Sequence, residues 1–394
     1  MKQNHILCRR DVKSSIDPHC ERNSETNNPP VNGKPVPADF CLLFHKTHRL
    51  KKLRIPMVLP ERLGGFKILK DVRWTSVVPR MGRKVFAGDV CKRFSEEKIN
   101  LSLLTCGSGN VSPAMRFGVD APYAEKAVQI IRTRFPDVVS EQKDAQVLSV
   151  FPHRNNPEIT GALLRILIQR KIPPLALLNS PSAISIVLER EHVEKTASAL
   201  FEPFRFSAYQ TPADWKLAQK GKEQLYKEVI AAYQEKKPKV YALEWYGDQI
   251  LVQAKLLFTD LAVVAEAFAE PAPLKIFLTF FALSPAYGTD LYDLLFCLPI
   301  SAAGHMECMH AQLSREAEML LSPVAFFSMN GPHFGDRYGI AENLYAALIQ
   351  SGVQVLGLNC SIASISGIVP SRQISAAIRA IEARFDVPSV IRRD

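Results

Sequence analysis

Glycine is scarce in this chain, at 19 of 394 residues. No G-x-x-x-x-G-K-[ST] loop occurs, and no G-x-G-x-x-G follows a strand pattern. The common backbone cradles for phosphate are therefore missing. No G-x-S-x-G turn is present to hold a hydrolase serine. No apolar run reaches the roughly 20 residues needed to cross a bilayer, and the N-terminus carries no signal-peptide core. The eight cysteines (Cys8, Cys20, Cys41, Cys91, Cys106, Cys297, Cys308 and Cys360) contain no C-x-x-C pair. They read as reduced thiols of a cytoplasmic protein, with Cys297 and Cys360 as small apolar core residues.

The formal charge of +10 is unevenly placed. Residues 1–59 hold 11 Lys and Arg against 5 Asp and Glu, so most of the excess sits in the tail. Nucleic acid is not an expected partner on that basis. Residues 1–60 are rich in Asn, Ser, Pro and Lys without periodicity, and read as a disordered basic tail. A chain of this length exceeds one core and suits several small domains.

The organising pattern lies in 323–388. Val324–Met329 is an apolar strand run, and Asn330–Gly339 is a turn. Ile340, Leu344, Leu348 and Ile349 recur at helical spacing, and Ser351-Gly352 ends the helix. Strands are expected over Val353–Leu358 and Ala363–Val369, and a helix over Arg372–Phe385. The order is β-α-β-β-α, to which one more strand adds a split βαβ sandwich.

The same order recurs upstream, and internal repeats decide a fold. In the first copy, Phe66–Val78 is a strand, Val85–Lys98 a helix, 99–119 a strand pair and Ala121–Phe135 a helix. In the second, Gln146–Phe151 is a strand, Ile159–Arg170 a helix, Leu175–Leu178 and Ile184–Leu188 strands, and His192–Phe201 a helix. The stretches LLTCGSGNVS, LLNSPSAIS and GLNCSIASIS align as one strand–turn–strand, with Asn179 and Asn359 each four residues before an alanine. Residues 138–145 read as a polar linker. Residues 207–237 read as a connecting helix with Trp215, Leu217, Leu225, Val229, Ile230 and Tyr233 on one stripe. In 238–320, Tyr246-Gly247-Asp248 suggests a hairpin turn, Thr289–Leu298 a helix and 305–313 a strand, as in a permuted third copy.

The segment GPHFGDRYGIA followed by VQVLGLNCSIASIS resembles the ACT domain, and within that family the C-terminal repeats of aspartokinases. The resemblance implies an α+β fold of tandem ferredoxin-like (βαββαβ) ACT domains, with antiparallel sheets carrying two helices on one face. It places repeats at 65–137, 145–206, 238–320 and 321–388. It excludes the kinase domain, since no Lys-Phe-Gly-Gly stretch is present. What it implies is a stand-alone regulatory protein, not an enzyme, that binds a small amino acid between domains. The expected partners are a second copy, in a homodimer, and an amino-acid biosynthetic enzyme of the aspartate family.

In that family the ligand lies between the turn after the first strand and a neighbouring domain's second strand. By motif, the fourth copy offers Asn330, His333, Phe334, Gly335, Asp336, Tyr338, Gly339 and Ile340, with Asn359, Ser361 and Ile362 from its second-strand turn. The first offers Arg80, Met81 and Gly82. The second offers His153, Arg154, Asn155 and Asn156, and the third Ser284, Tyr287, Gly288 and Thr289. The chemistry would be a carboxylate held at a helix N-terminus, with Asp336 facing the ammonium. His305, Glu307, Cys308 and His310 are close in sequence, but on a strand they divide between two faces. No metal or other cofactor is expected. Two other readings stand beside this one: a scaffold of ligand-free repeats, and an enzyme of unrecognised type using Arg80, His153 or His333.

Overall fold

The computed structural model describes residues 62–79, 86–107, 114–219, 237–269, 277–313, 318–332, 334, 337–361 and 363–393. The expected tail and most of the expected connecting helix lie outside them. The described chain is a mixed α/β structure built on one large, mostly antiparallel sheet.

The elements follow one another as β1 (Arg62–Leu63), β2 (Gly65–Pro79), α1 (Phe86–Glu96), β3 (Leu103–Gly107), β4 (Met115–Asp120) and α2 (Ala124–Arg134). Next come β5 (Val138–Phe151), α3 (Pro157–Gln169), β6 (Ala176–Asn179), β7 (Ile184–Glu189), α4 (Arg190–Ala199), β8 (Arg205–Phe206) and α5 (Pro212–Gln219). Then follow β9 (Ala242–Leu257), α6 (Leu261–Ala269), β10 (Phe280–Pro285), β11 (Leu291–Pro299) and α7 (Ala303–His310). The last are β12 (Glu318–Asn330), α8 (Ile340–Gln350), β13 (Gly357–Cys360), β14 (Ser364–Pro370), α9 (Ile374–Arg384) and β15 (Val390–Arg393). A strand-helix-strand-strand-helix order thus begins at β2, β5, β9 and β12. These stretches are units one to four below.

The four long strands knit the units in pairs. β2 and β5 are antiparallel over nearly their whole length, from Gly65↔Phe151 to Pro79↔Val138. The second half of β2 also pairs with β4, and the second half of β5 with β7. β9 and β12 repeat the arrangement, with β11 beside one half of β9 and β14 beside one half of β12. In each long pair one extra residue is accommodated midway. Lys70 and Asp71 oppose Gln146, and Gly247 and Asp248 oppose Ala325. Asp71 and Asp248 both take positive φ, 58° and 47°. Such a bulge bends and twists a strand, and each marks where a strand passes from one unit's sheet to the next.

Short edge strands complete the ring. β3 pairs antiparallel with β13, joining units one and four, and β6 with β10, joining two and three. With β9–β11 pairing, twelve strands close into a ring, and β15 adds to the first half of β9. Helices cover two outer faces. One core joins units two and three through residues such as Leu163, Ile186, Val264, Phe281 and Phe296. The other joins units one and four through Val90, Phe117, Phe327 and Leu344. Between the inner faces lie two smaller clusters, one around Trp74 and Leu178, the other around Phe280 and Phe326. Fully burying one such phenylalanine contributes about 2–3 kcal/mol.

Several expectations are corrected. Residues 138–145 are not a linker but the first half of β5, stabilised by pairing with β2. Tyr246-Gly247-Asp248 is a bulge inside β9 rather than a hairpin turn. Residues 289–298 do not form a helix, and most of them belong to β11. Tyr292, Leu294 and Phe296 face one core, while Leu295 and Cys297 face the other. Burial on both faces erases the alternation that marks a strand. Residues 303–310 are helical rather than a strand, with Met306 and Met309 buried one turn apart. The third unit is therefore not permuted. In the expected connecting helix, Trp215 is buried against Phe66 with ring centroids 5.1 Å apart, whereas Leu217 is 66% exposed.

Candidate functional site

Where units one and four meet, a narrow cleft opens between the end of α1 and the turn leading into α8. Unit one contributes Cys91, Phe94, Ser95, Ile99, Asn100 and Leu101. Unit four contributes Phe334, Arg337, Gly339, Ile340, Ala341, Glu342, Cys360, Ser361 and Ile365. The walls are mainly apolar, with one cation, one anion and a few hydroxyl and amide groups. Its water-accessible volume is about 30 Å³, room for one or two waters. A larger guest requires the turn and α1 to separate.

Local sequence accounts for the cleft's shape. Gly339 caps α8 with φ +86°, a left-handed conformation that glycine adopts at little cost. A Cβ there would stand 2.7 Å from the Ser95 hydroxyl. The residue is thus small for two reasons, backbone conformation and the approach of α1. Asn343 donates its side-chain amide to Gly339 O at 3.0 Å and fixes the helix start. At Gly331 a Cβ would meet Lys239 O at 2.7 Å and collide with the Phe334 ring.

Behind the apolar wall, Cys106 and Tyr345 share a hydrogen bond of 2.5 Å. Burial raises the Tyr345 hydroxyl and the Cys91 and Cys360 thiols well above their ordinary values. Burial also pushes Cys106 up to about 11, against the hydrogen bond from Tyr345. These groups stay neutral, and thiols held as such are poor nucleophiles. Cys91, Cys106, Cys297 and Cys360 are free thiols.

The structure brings together Phe334, Gly339, Ile340 and Ser361 of the residues picked from sequence. Tyr338 is half-buried in the same turn. Asn330 stands off the cleft at the end of β12, its Oδ1 buried without a hydrogen-bond partner among the described residues. Asn359 points to the opposite, inner face. Arg80, Met81, Gly82, His333, Gly335, Asp336 and Ile362 lie outside the described residues. His153, Arg154, Asn155 and Asn156 form a second turn, in unit two, that is filled by its own protein. His153 Nε2 meets Ser180 O, Asn155 O accepts from Leu278 N at 2.8 Å, and Asn156 caps α3 through Glu158 N at 3.0 Å. Burial lowers the His153 pKa, its bond to Ser180 only partly opposing, so the ring is neutral. Ser284, Tyr287, Gly288 and Thr289 do not precede a helix; they belong to β10 and the hairpin turn into β11. Sequence reasoning missed Arg337 and Glu342, which flank or lie inside the motif it quoted. It also missed the unit-one wall, which only the pairing of units one and four brings near.

No protein-family model matches the chain, and no curated protein matches it in sequence. Its fold does recur in solved structures. Aspartate kinase from Synechocystis is similar with a TM-score of 0.66 and 15% identity, over 82% of this chain and 56% of that one. The ligand-free regulatory subunit of aspartate kinase from Thermus thermophilus matches 36% of this chain at TM-score 0.34 and 15% identity, over 99% of its own length. Aspartate kinase from Clostridium acetobutylicum matches 39% at TM-score 0.32 and 13% identity, over 37% of its own length. Of these three, the first alone spans most of this chain, and at that identity it shows the fold.

The first likeness overturns three expectations. A solved structure that shares this fold over most of the chain is an aspartate kinase, an enzyme. The chain is accordingly not read as repeats lacking a kinase, as a stand-alone regulator or as a non-enzyme. It spans a little over half the length of that neighbour. No described helix is long and apolar enough to cross a membrane.

Proposed function

We propose that this chain belongs to an aspartate-kinase-type enzyme, and that the described residues form its amino-acid-responsive region. In this reading the units are ferredoxin-like ACT repeats, at about 65–137, 145–206, 238–320 and 321–388. They are paired by their long strands and joined edge to edge. The observation that carries it is the cleft between units one and four. Apolar walls, one cation (Arg337), one anion (Glu342) and the N-terminus of α8 meet there, a combination suited to a zwitterion with a small side chain. The turn residues Phe334, Gly339 and Ile340 and the strand end at Ser361 would contact the guest, and the sequence motif adds Asp336 and His333. The cleft offers binding chemistry, and turnover is assigned to no described residue.

The test has two readouts on the full chain. Acyl phosphate formed from ATP and aspartate is trapped with hydroxylamine while each L-amino acid is added in turn. Thermal unfolding is followed with the same additions. The reading expects turnover that one or a few amino acids change, and a saturable rise in Tm with the same ones. Absence of turnover would remove the enzyme assignment. Absence of any thermal response would remove the amino-acid site, because a ligand at about 1,000 times its Kd stabilises by about 4 kcal/mol.

A further inference from the structure

One side chain touches all the other units. Asn359 lies on β13 of unit four, fully buried, immediately before Cys360 and Ser361 of the cleft. Its Oδ1 accepts from Thr105 Oγ1 of unit one at 2.8 Å. Its Nδ2 donates to Asn179 O of unit two at 3.1 Å and to Phe281 O of unit three at 2.9 Å. Asn179 carries the contact onward. Its amide donates to Leu278 O at 3.0 Å and accepts from Phe281 N at 2.6 Å. Leu278 N in turn donates to Asn155 O, in the filled turn of unit two.

A second chain of contacts starts two residues later. Ser361 Oγ reaches Ser180 Oγ at 3.2 Å and Ser364 Oγ at 3.0 Å. Ser182 Oγ stands 3.1 Å from Ser364 Oγ and 3.3 Å from Ser180 Oγ, so four hydroxyls close a ring between the β6–β7 and β13–β14 turns. Ser180 O meets the His153 ring. Both chains therefore run from the floor of the open cleft to the filled turn at 153–156. Each is made of buried or half-buried polar groups, and a buried amide that loses its partners is costly. A shift of the β13 end cannot leave Asn359 behind without breaking bonds to three units.

The geometry points to Asn359 as a positioning residue: it ties the open cleft of units one and four to the filled turn of units two and three, so that a guest in the first is felt at the second. This rests on the cleft being an amino-acid site, as proposed above. Such coupling is a difference of free energy between two sites and needs a measurement of both.

The experiment is amide hydrogen exchange on the full chain, with and without each of the twenty L-amino acids at millimolar concentration. In the wild type, an amino acid that protects 91–101 and 337–342 should also protect 153–156 and 278–283. In Asn359→Ser the first protection should remain and the second should fall on the order of five-fold or more. Remote protection unchanged in Asn359→Ser, or protection confined to the cleft in the wild type, overturns the inference. If no amino acid protects the cleft, the ligand reading fails, and the coupling is read without ligand. Asn359→Ser and His153→Gln are then compared singly and together by thermal unfolding. Because these two residues share no direct bond, additive changes in Tm overturn the coupling, and a clear departure from additivity supports it.

Discussion

At the scale of single residues, Gly339 shows how one position meets two demands. Its φ of +86° disfavours any side chain, and the Ser95 hydroxyl occupies the space of a Cβ. Gly339→Ala should cost about 1–2 kcal/mol from backbone strain alone, and more from the contact. Adding Ser95→Ala should recover only the second part, as a partial return of Tm. A wild-type Tm in Gly339→Ala would show that the turn is not held as described. His153 gives a pH signature. Its folded pKa lies below the free value of 6.5 because burial penalises the charged ring. The unfolded chain therefore takes up a proton first as pH falls below about 6.5, and stability drops from there toward the folded pKa. A plot of Tm against pH should lose this component in His153→Gln. The turn motif around these residues was legible because glycine and asparagine mark special backbone conformations. Arg337 and Glu342 were not, since nothing about an isolated charge says which neighbour it will face.

At the scale of elements, helices and strands buried on one face were readable. The α8 run shows its spacing at Ile340, Leu344 and Leu348, all buried, whereas Ile349, expected on the same face, is exposed. Three of the misread elements share a physical cause. β11 is buried on both faces, β5 has a polar half held by its partner strand, and Gly247-Asp248 forms a bulge where an isolated pair would form a turn. Tertiary pairing overrode local preference in each case. The helix crossings obey a simple rule of space. A Cβ on Gly161 of α3 would stand 2.9 Å from Ala265 O of α6, and one on Gly88 of α1 would stand 3.1 Å from Ile349 of α8. Gly161→Val should force α3 and α6 apart and destabilise by about 1–3 kcal/mol, measured by urea denaturation. An unchanged midpoint would mean that the crossing is looser than the geometry states.

At the scale of the whole molecule, the recurring element order was visible in sequence for units one, two and four, whereas unit three read as permuted and closure of the strands into a ring was not seen. Closure depends on edge pairings between strands far apart in the chain, such as β3 and β13, whose Thr105 and Asn359 stand opposite each other. The inner faces carry a further link absent from any motif. Arg116 of unit one donates to Asp293 of unit three at 3.0 Å and to Pro285 O at 2.7 Å, with both charged side chains almost fully buried. Lys255 approaches the other carboxylate oxygen at 3.6 Å. Removing one partner of such a pair typically costs about 3–5 kcal/mol, whereas replacing both with apolar residues is close to neutral. Asp293→Ala should therefore lower Tm sharply, and Arg116→Met with Asp293→Leu should restore most of it. Equal losses in both would mean that packing, not charge, dominates there.

The central claim is that the narrow cleft between units one and four takes an amino acid as the turn and α1 separate, while the turn at 153–156 of unit two is filled from within. Calorimetric titration of the full chain with the L-amino acids tests it most directly, alongside Ser95→Trp, which fills the cleft from the α1 side. The account predicts saturable binding of one molecule per chain, abolished in Ser95→Trp with the fold retained. Two molecules per chain, or undiminished binding in Ser95→Trp, would contradict it.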